Sequence, residues 1–315
     1  MLAIFMGTPD FAVPSFKALV GAGHEVAAVV TQPDRPRGRG RKEAPPPVKE
    51  AALSFKIPVY QPSRIKDPEF IALLESLSPD VIVVAAFGRI LPAEILRIPR
   101  YGCINVHASL LPKYRGAAPI HWAVINGEKE TGITTMYMDE GLDTGDMILR
   151  EAIPINDSDT VSMVHDRLAR LGAQVLVKTL SLVGSAKAPR VRQTGSPTYA
   201  PMIKAEDEQI LWDRPARDIY NQIRGMNAWP GARTTLSGRV LKVWSAEPLE
   251  DGGASGLPGQ VLPGGGDGII VKTGGGRLKI TGLQLQGAKK MNAADFLRGT
   301  PVPPGTILGE TKTSN

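Results

Sequence analysis

The chain has 315 residues, 42% hydrophobic and 22% charged, an ordinary globular composition with length enough for one large or two medium domains. Its 37 Lys+Arg against 31 Asp+Glu give a formal charge of +6 and a pI near 9.4, too small an excess to specify a polyanionic partner by itself. A single cysteine, Cys103, excludes a disulfide framework and a cysteine-rich metal site, and no apolar run approaches the roughly 18 residues of a membrane span.

The opening stretch MLAIFMGTPDF lacks the charged start and small-residue cleavage site of a signal peptide. It reads as a buried first strand, which makes the cytoplasm the expected compartment. Strand-like runs then alternate with helix-like ones: LAIFMG, a helix over about 14–23, HEVAAVVTQ, a helix after PPPVKEAALSF, IPVYQP, a helix through EFIALLESL, and DVIVVAAFG. Continuous apolar strands separated by amphipathic helices predict an α/β domain built on a doubly wound, Rossmann-like parallel sheet covered on both faces.

Directly after the second strand, RPRGRGRK packs Arg35, Arg37, Arg39, Arg41 and Lys42 among glycines with no acid. A cationic segment of this kind can wrap phosphates or simply be solvated; its exit from the carboxyl end of a strand sets it where ligands of such sheets bind. The next strand, in INVHASLLPKYRGAAPIHW, raises a sharper question, because Asn105, His107 and Ser109 alternate and so share one face.

His107 is the pivotal residue of that face, since only an imidazole changes charge near neutral pH, and Asp143 on a glycine-flanked loop is its candidate carboxylate partner. Asn105 is open to two readings, an amide donor aimed at an oxygen that becomes negative in a transition state, or a capping amide. Glu140 and Asp146 read as a solvated acidic loop. A Ser109–His107–Asp143 hydrolase is the rival constellation, but Ser109 lacks the G-x-S-x-G elbow that presents such a nucleophile. Cys103, in apolar surroundings, reads as a buried inert thiol. The chain's other histidines, His24, His121 and His165, fall on separate elements, so no zinc-like ligand set appears and no metal is expected.

Past a helix near PIHWAVING, the stretch GITTMYMDEGLDTGDMILREAIPI alternates like a hairpin, and DTVSMVHDRLARLGAQVLVKTLSLV reads as a long amphipathic helix. The periodicity then fails in GSAKAPRVRQTGSPTYAPMIK, which holds four cations, three prolines and no acid, as an extended linker would. Short strands broken by Gly-rich turns follow, with a terminal helix at NAADFLRG, and suggest a small OB-like β-barrel. The expected domains are a catalytic domain over 1–189, a linker over 190–205 and the barrel over 206–315. Trp229 and Trp244 are expected to pack in a core or between domains.

NVHASLLPKYRGAAP and GITTMYMDEGLDTGDM resemble the signature segments of the formyltransferases that use 10-formyltetrahydrofolate, and the similarity extends over essentially the whole chain. MGTPDFAVPS, the arginine-rich segment and the second domain bring it nearest to the members that act on charged initiator tRNA. The resemblance implies catalysis by Asn105, His107 and Asp143. It implies a folate donor lying by Phe87, Gly88, Ile90, Leu91 and Pro92 and by Ser109, Leu110, Leu111 and Pro112. It also implies initiator methionyl-tRNA as partner, gripped by the segment from Arg35 to Lys42 with Arg41 at the acceptor end, the barrel supplying backbone contacts to the tRNA. A monomer and no membrane partner are expected. In the chemistry expected from these residues, Asn105 and a protonated His107 donate to the developing oxyanion while Asp143 supports the imidazolium and takes the amine proton. The alternatives within the family are a small amine acceptor, such as a sugar nucleotide or a ribosylglycinamide, or hydrolysis of the formyl group. Outside it stands a non-catalytic RNA-binding protein, against which the low aromatic content, 5%, counts.

Overall fold

The computed structural model describes residues 1–37, 42–253 and 255–309. In chain order the elements are β1 (Leu2–Gly7), α1 (Ala12–Gly21), β2 (Glu25–Val30), β3 (Arg35–Arg37), β4 (Lys42–Ala44), α2 (Pro47–Ser54), β5 (Val59–Tyr60), α3 (Pro68–Ser76), β6 (Val81–Ala85), α4 (Ala93–Leu96) and β7 (Cys103–His107). They continue as α5 (Pro119–Ile125), β8 (Glu130–Tyr137), β9 (Met147–Pro154) and α6 (Val161–Gly184). Beyond these come α7 (Ala216–Gly225), β10 (Ala232–Leu236), β11 (Arg239–Leu249), β12 (Ile269–Lys272), β13 (Arg277–Leu285), β14 (Met291–Asn292) and α8 (Ala293–Gly299).

One seven-stranded sheet has the order β5-β2-β1-β6-β7-β8-β9. The pairs from β5 to β7 are parallel, as continuous apolar strands require, while β7–β8 and β8–β9 are antiparallel. Local signals set several boundaries. Pro68 opens α3 and the Asp67 carboxylate caps it, accepting from the Glu69 N–H at 3.1 Å. α1 starts two residues before the expected boundary because Pro14 falls inside its first turn, where a missing N–H costs nothing.

β6 and β7 are buried along their whole length. One face of this sheet packs Ile4, Met6, Val30, Ile82, Val84 and Cys103 against Phe70, Leu74 and Ile95. Covering each such side chain contributes about 1.5–3 kcal/mol. On the opposite face α6 comes so close that a Cβ added at Gly172 would lie 3.1 Å from Val106 Cγ1. Alternation along β7 therefore sends Val106 toward α6 and leaves Asn105 and His107 on the other side.

The chain forms two compact units, one of residues 1–119, 130–154 and 165–201, the other of 120–129, 155–164 and 202–315. The division is discontinuous, unlike the contiguous spans read from the sequence, because Ile125 packs into the core of Ile219, Ile223, Met226, Leu241 and Ile280. Arg224 adds to this by donating to the Asp159 carbonyl at 3.1 Å. The second unit carries a five-stranded antiparallel sheet, β10-β11-β13-β12 with β14 on β13, and a register irregularity between Val243 and Ala246 bends β11. The fold is thus a mostly parallel Rossmann-like sheet with flanking helices, followed by an antiparallel half-barrel. Trp244 is buried in it, but Trp229 is 68% exposed, which corrects the packing expected of it: it lies just past the end of α7, with its ring edge-on to His121.

Candidate active site

Asn105 and His107 emerge from the apolar face of β7, 9% and 6% exposed. Cys103 precedes them on the same face, deep in the core, where burial pushes its thiol up to about 12 and keeps it protonated. Ser109 is fully buried and its hydroxyl donates to the Lys113 carbonyl at 2.6 Å, a local turn bond that leaves it no nucleophilic part.

Asp143 reaches this face by an indirect route. β8 pairs Thr134 with His107 and Tyr137 with Ile104, so the chain after Tyr137 starts beside the amino half of β7 and must fold back across it. Two local features allow the return. The Asp139 carboxylate accepts from the Gly141 N–H at 3.1 Å and the Thr144 hydroxyl at 2.6 Å, closing a tight turn. Gly145 then passes so near the start of the loop that a Cβ would lie 1.8 Å from the Tyr137 carbonyl oxygen. Asp143 itself sits at φ 53°, left-handed backbone that aspartate tolerates better than most residues.

The carboxylate is 12% exposed, and each of its oxygens has a partner. Its Oδ1 accepts from Asn105 Nδ2 at 3.3 Å, and its Oδ2 accepts from the Gly116 N–H at 2.8 Å while lying 3.6 Å from His107 Nδ1. Gly116 takes φ +113°, and a Cβ there would meet the Ala200 carbonyl at 2.9 Å, so the N–H that holds Asp143 depends on glycine. His107 Nε2 lies 2.9 Å from the Tyr114 carbonyl, which can only accept; this nitrogen carries a proton in either charge state of the ring. Nδ1, facing Asp143, is then the nitrogen that gains or loses one.

This arrangement differs from the expectation that His107 donates to a substrate oxygen, since both ring nitrogens are turned to protein groups. The second amide hydrogen of Asn105 has no partner among the described residues and is the donor left over. The trio therefore offers an unpaired N–H beside a carboxylate–imidazole pair that can hold one extra proton.

The segments expected to lie by a folate follow the carboxyl ends of the adjacent strands β6 and β7. Within them Phe87, Leu91 and Pro92 are buried, as are Ser109 and Leu111, whereas Gly88 and Ile90 are exposed, Ile90 at 74%, and Leu110 and Pro112 half-buried. Arg89 ties the first segment down, donating to Gln32 Oε1 at 3.1 Å and to the Ser63 carbonyl at 2.8 Å.

Of the cationic stretch, Arg35 is exposed on β3, which pairs with β4. Arg39 and Arg41 lie outside the described residues, as do the side chains of Arg37 and Lys42. The base of the segment is anchored by Asp34, which accepts from Lys49 at 2.7 Å and from Gln61 at 2.8 Å; the Lys49 hydrogen bond holds its carboxyl below the usual range.

Reading residue types along the chain did not find the Tyr114 carbonyl or the Gly116 N–H, which carry no side-chain signal, nor Gln193, 50 residues from Asp143. Among the described residues no three His, Cys, Asp or Glu side chains gather to hold a metal ion, and no helix is long and apolar enough to cross a membrane.

Comparison with known proteins matches residues 1–180 to the model of the formyl transferase family and residues 202–301 to that of the formyl transferase C-terminal domain. A methionyl-tRNA formyltransferase of Pelotomaculum thermopropionicum is 69% identical over 98% of this chain and 99% of its own, and one of Desulforamulus reducens 54% over 98% of each. Among solved structures, HypX from Aquifex aeolicus in complex with tetrahydrofolic acid superposes with a TM-score of 0.64 at 16% identity, covering 99% of this chain and 51% of that one, a likeness of fold alone.

Proposed function

The chain belongs to the formyl transferase family, and from that premise we propose that it moves a formyl group from 10-formyltetrahydrofolate to the α-amine of methionine carried on initiator tRNA. The observation that carries this reading is the near-complete overlap, through both units, with relatives named methionyl-tRNA formyltransferase. It makes the protein a transferase, working on translation initiation and, on this reading, in the cytoplasm.

The residues present fit such a donor: Gly88, Ile90, Leu110 and Pro112 give an accessible, largely apolar lip next to the buried polar trio. When bound, 10-formyltetrahydrofolate supplies a formyl group on a nitrogen leaving group. Asn105 donates its unpaired N–H to the formyl oxygen as negative charge develops there, a contact of the kind worth about 3 kcal/mol of barrier. The Asp143–His107 pair accepts the proton that the attacking amine must lose, holds it between Oδ2 and Nδ1, and returns it to the folate nitrogen as the bond from that nitrogen to the formyl carbon breaks. The Tyr114 carbonyl holds the imidazole in the tautomer that keeps Nδ1 turned to the carboxylate. The cationic stretch from Arg35 to Lys42 grips the phosphates of the acceptor end.

The test is formyl incorporation into methionine on initiator tRNA, beside charged elongator tRNA, free methionine, an amino-sugar nucleotide and a tube without acceptor. Transfer confined to the initiator is the expected result. Folate turnover without an acceptor would make the protein a hydrolase, and transfer to the amino sugar alone would replace the acceptor while leaving the chemistry.

A further inference from the structure

Asp143 is held at both ends of its own residue. Its carboxylate is fixed by Asn105 and the Gly116 N–H, and its backbone is fixed by Gln193, from the extended segment after α6. Gln193 Nε2 donates to the Asp143 carbonyl at 2.8 Å and to the Gly145 carbonyl at 2.9 Å. Gln193 Oε1 accepts from Arg115 Nη2 at 2.7 Å and Nε at 3.2 Å. Two carbonyls on one side and a guanidinium on the other leave the amide a single orientation, with both hydrogens and both lone pairs used.

Arg115 is the residue between the Tyr114 carbonyl, which orients His107, and the Gly116 N–H, which holds Asp143. The Gln193 side chain thus joins the two pieces of chain that define the carboxylate–imidazole distance. Its own segment is secured independently: Val191 and Met147 exchange backbone bonds at 2.8 and 3.0 Å, and Arg115 and Ala200 continue the pairing through the Thr198 carbonyl at 2.9 Å and the Arg115 carbonyl at 2.7 Å. Removing the Gln193 amide leaves these backbone bonds in place, so the effect falls on the loop from Asp143 to Gly145.

We propose that Gln193 is a positioning residue for formyl transfer, acting through Asp143 by fixing the left-handed backbone from which its carboxylate meets His107 and Asn105. The proposal rests on Asp143 being part of the catalytic trio. A displacement of the order of 1 Å in a proton-accepting group costs about 10- to 100-fold in rate, and its cost lies in kcat because it falls on the proton-transfer step.

The experiment measures kcat, both KM values, the pH profile of kcat and the melting temperature for Gln193→Met, Gln193→Glu and Asp143→Asn in the full-length protein with charged initiator tRNA. Gln193→Met keeps the length and removes all four bonds; Gln193→Glu keeps an acceptor for Arg115 but offers nothing to the two carbonyls. The expected result is an equal drop of about 10- to 100-fold in kcat for both, unchanged KM values, a displaced pH profile and a melting temperature within a degree or two of wild type. A wild-type kcat in Gln193→Met, or a full kcat in Gln193→Glu, overturns the proposal, as does a drop that tracks the melting temperature alone. If Asp143→Asn is itself fully active, the reading of the trio fails and this proposal with it; if Asp143→Asn is dead and Gln193→Met keeps the wild-type kcat, only the proposal fails.

Discussion

The loop that carries Asp143 and the stretch from Arg35 to Lys42 belong to the same unit, yet they are built on opposite principles. The Asp143 loop is crossed by hydrogen bonds from Asn105, Gly116 and Gln193, turned by Asp139 and closed over Gly145, where no side chain fits. The cationic stretch is anchored through Asp34 at its base and is otherwise rich in arginine and glycine. On the proposed function, chemistry at a formyl carbon needs a carboxylate fixed to a fraction of an ångström, which is what the backbone geometry around Asp143 supplies. On the same proposal, attraction of the cationic stretch to a phosphate chain would need charge within a Debye length and little else, for which residue type suffices.

If the two regions differ in this way, mutations should separate along kcat and KM. The largest effect is expected at the trio: Asn105→Ala removes the unpaired N–H and should lower kcat by about 100-fold or more with tRNA binding intact, measured by steady-state kinetics. Equal changes in both would erase the distinction. A smaller effect is expected from Arg39→Ala with Arg41→Ala, which should raise the KM for charged tRNA about 10-fold with folate KM unchanged. The same pair should flatten the log–log salt dependence of tRNA binding, its slope falling by roughly 0.7–0.9 for each phosphate no longer neutralised. An unchanged salt slope would break the charge half of the comparison.

The smallest effect is expected from a charged pair outside both loops. His165 Nε2 lies 3.6 Å from Asp10 and its Nδ1 3.0 Å from Asp166. The neighbouring Asp10 carboxylate raises the His165 pKa above 6.5, and His165 lowers that of Asp10 below 3.8. The His165 contribution is full below pH 6.5 and fades as pH rises through the raised value; that of Asp10 is full above pH 3.8 and fades as pH falls through the lowered one. Asp10 is 77% exposed, so screening limits the pair to about 0.5 kcal/mol. Thermal melts from about pH 5 to 8 should show wild type losing this increment at the alkaline end while His165→Gln stays flat.

What could be read along the chain follows the same division. Alternating apolar strands and amphipathic helices carried the α/β sheet, because periodicity reports burial directly, and short strands broken by Gly-rich turns carried the second, antiparallel domain. Asn105 and His107 stood out because two polar residues share a face with Cys103 in an otherwise apolar strand. The antiparallel turn to β8 was not legible, nor was the route by which Asp143 folds back over β7, since register is fixed by partners distant in sequence. The Tyr114 carbonyl and Gly116 N–H belong to every residue alike, and Gln193 lay in a stretch whose composition read only as linker. Exposure of Trp229 went unforeseen because a large ring predicts burial only on average.

Whether the trio performs the transfer itself is tested most directly by single-turnover formyl transfer with His107→Ala, at saturating donor and charged initiator tRNA. A rate constant lowered by about 100-fold or more, with the tRNA Kd within about twofold of wild type, is predicted. A wild-type rate constant, or a drop accounted for by weaker tRNA binding, would contradict it.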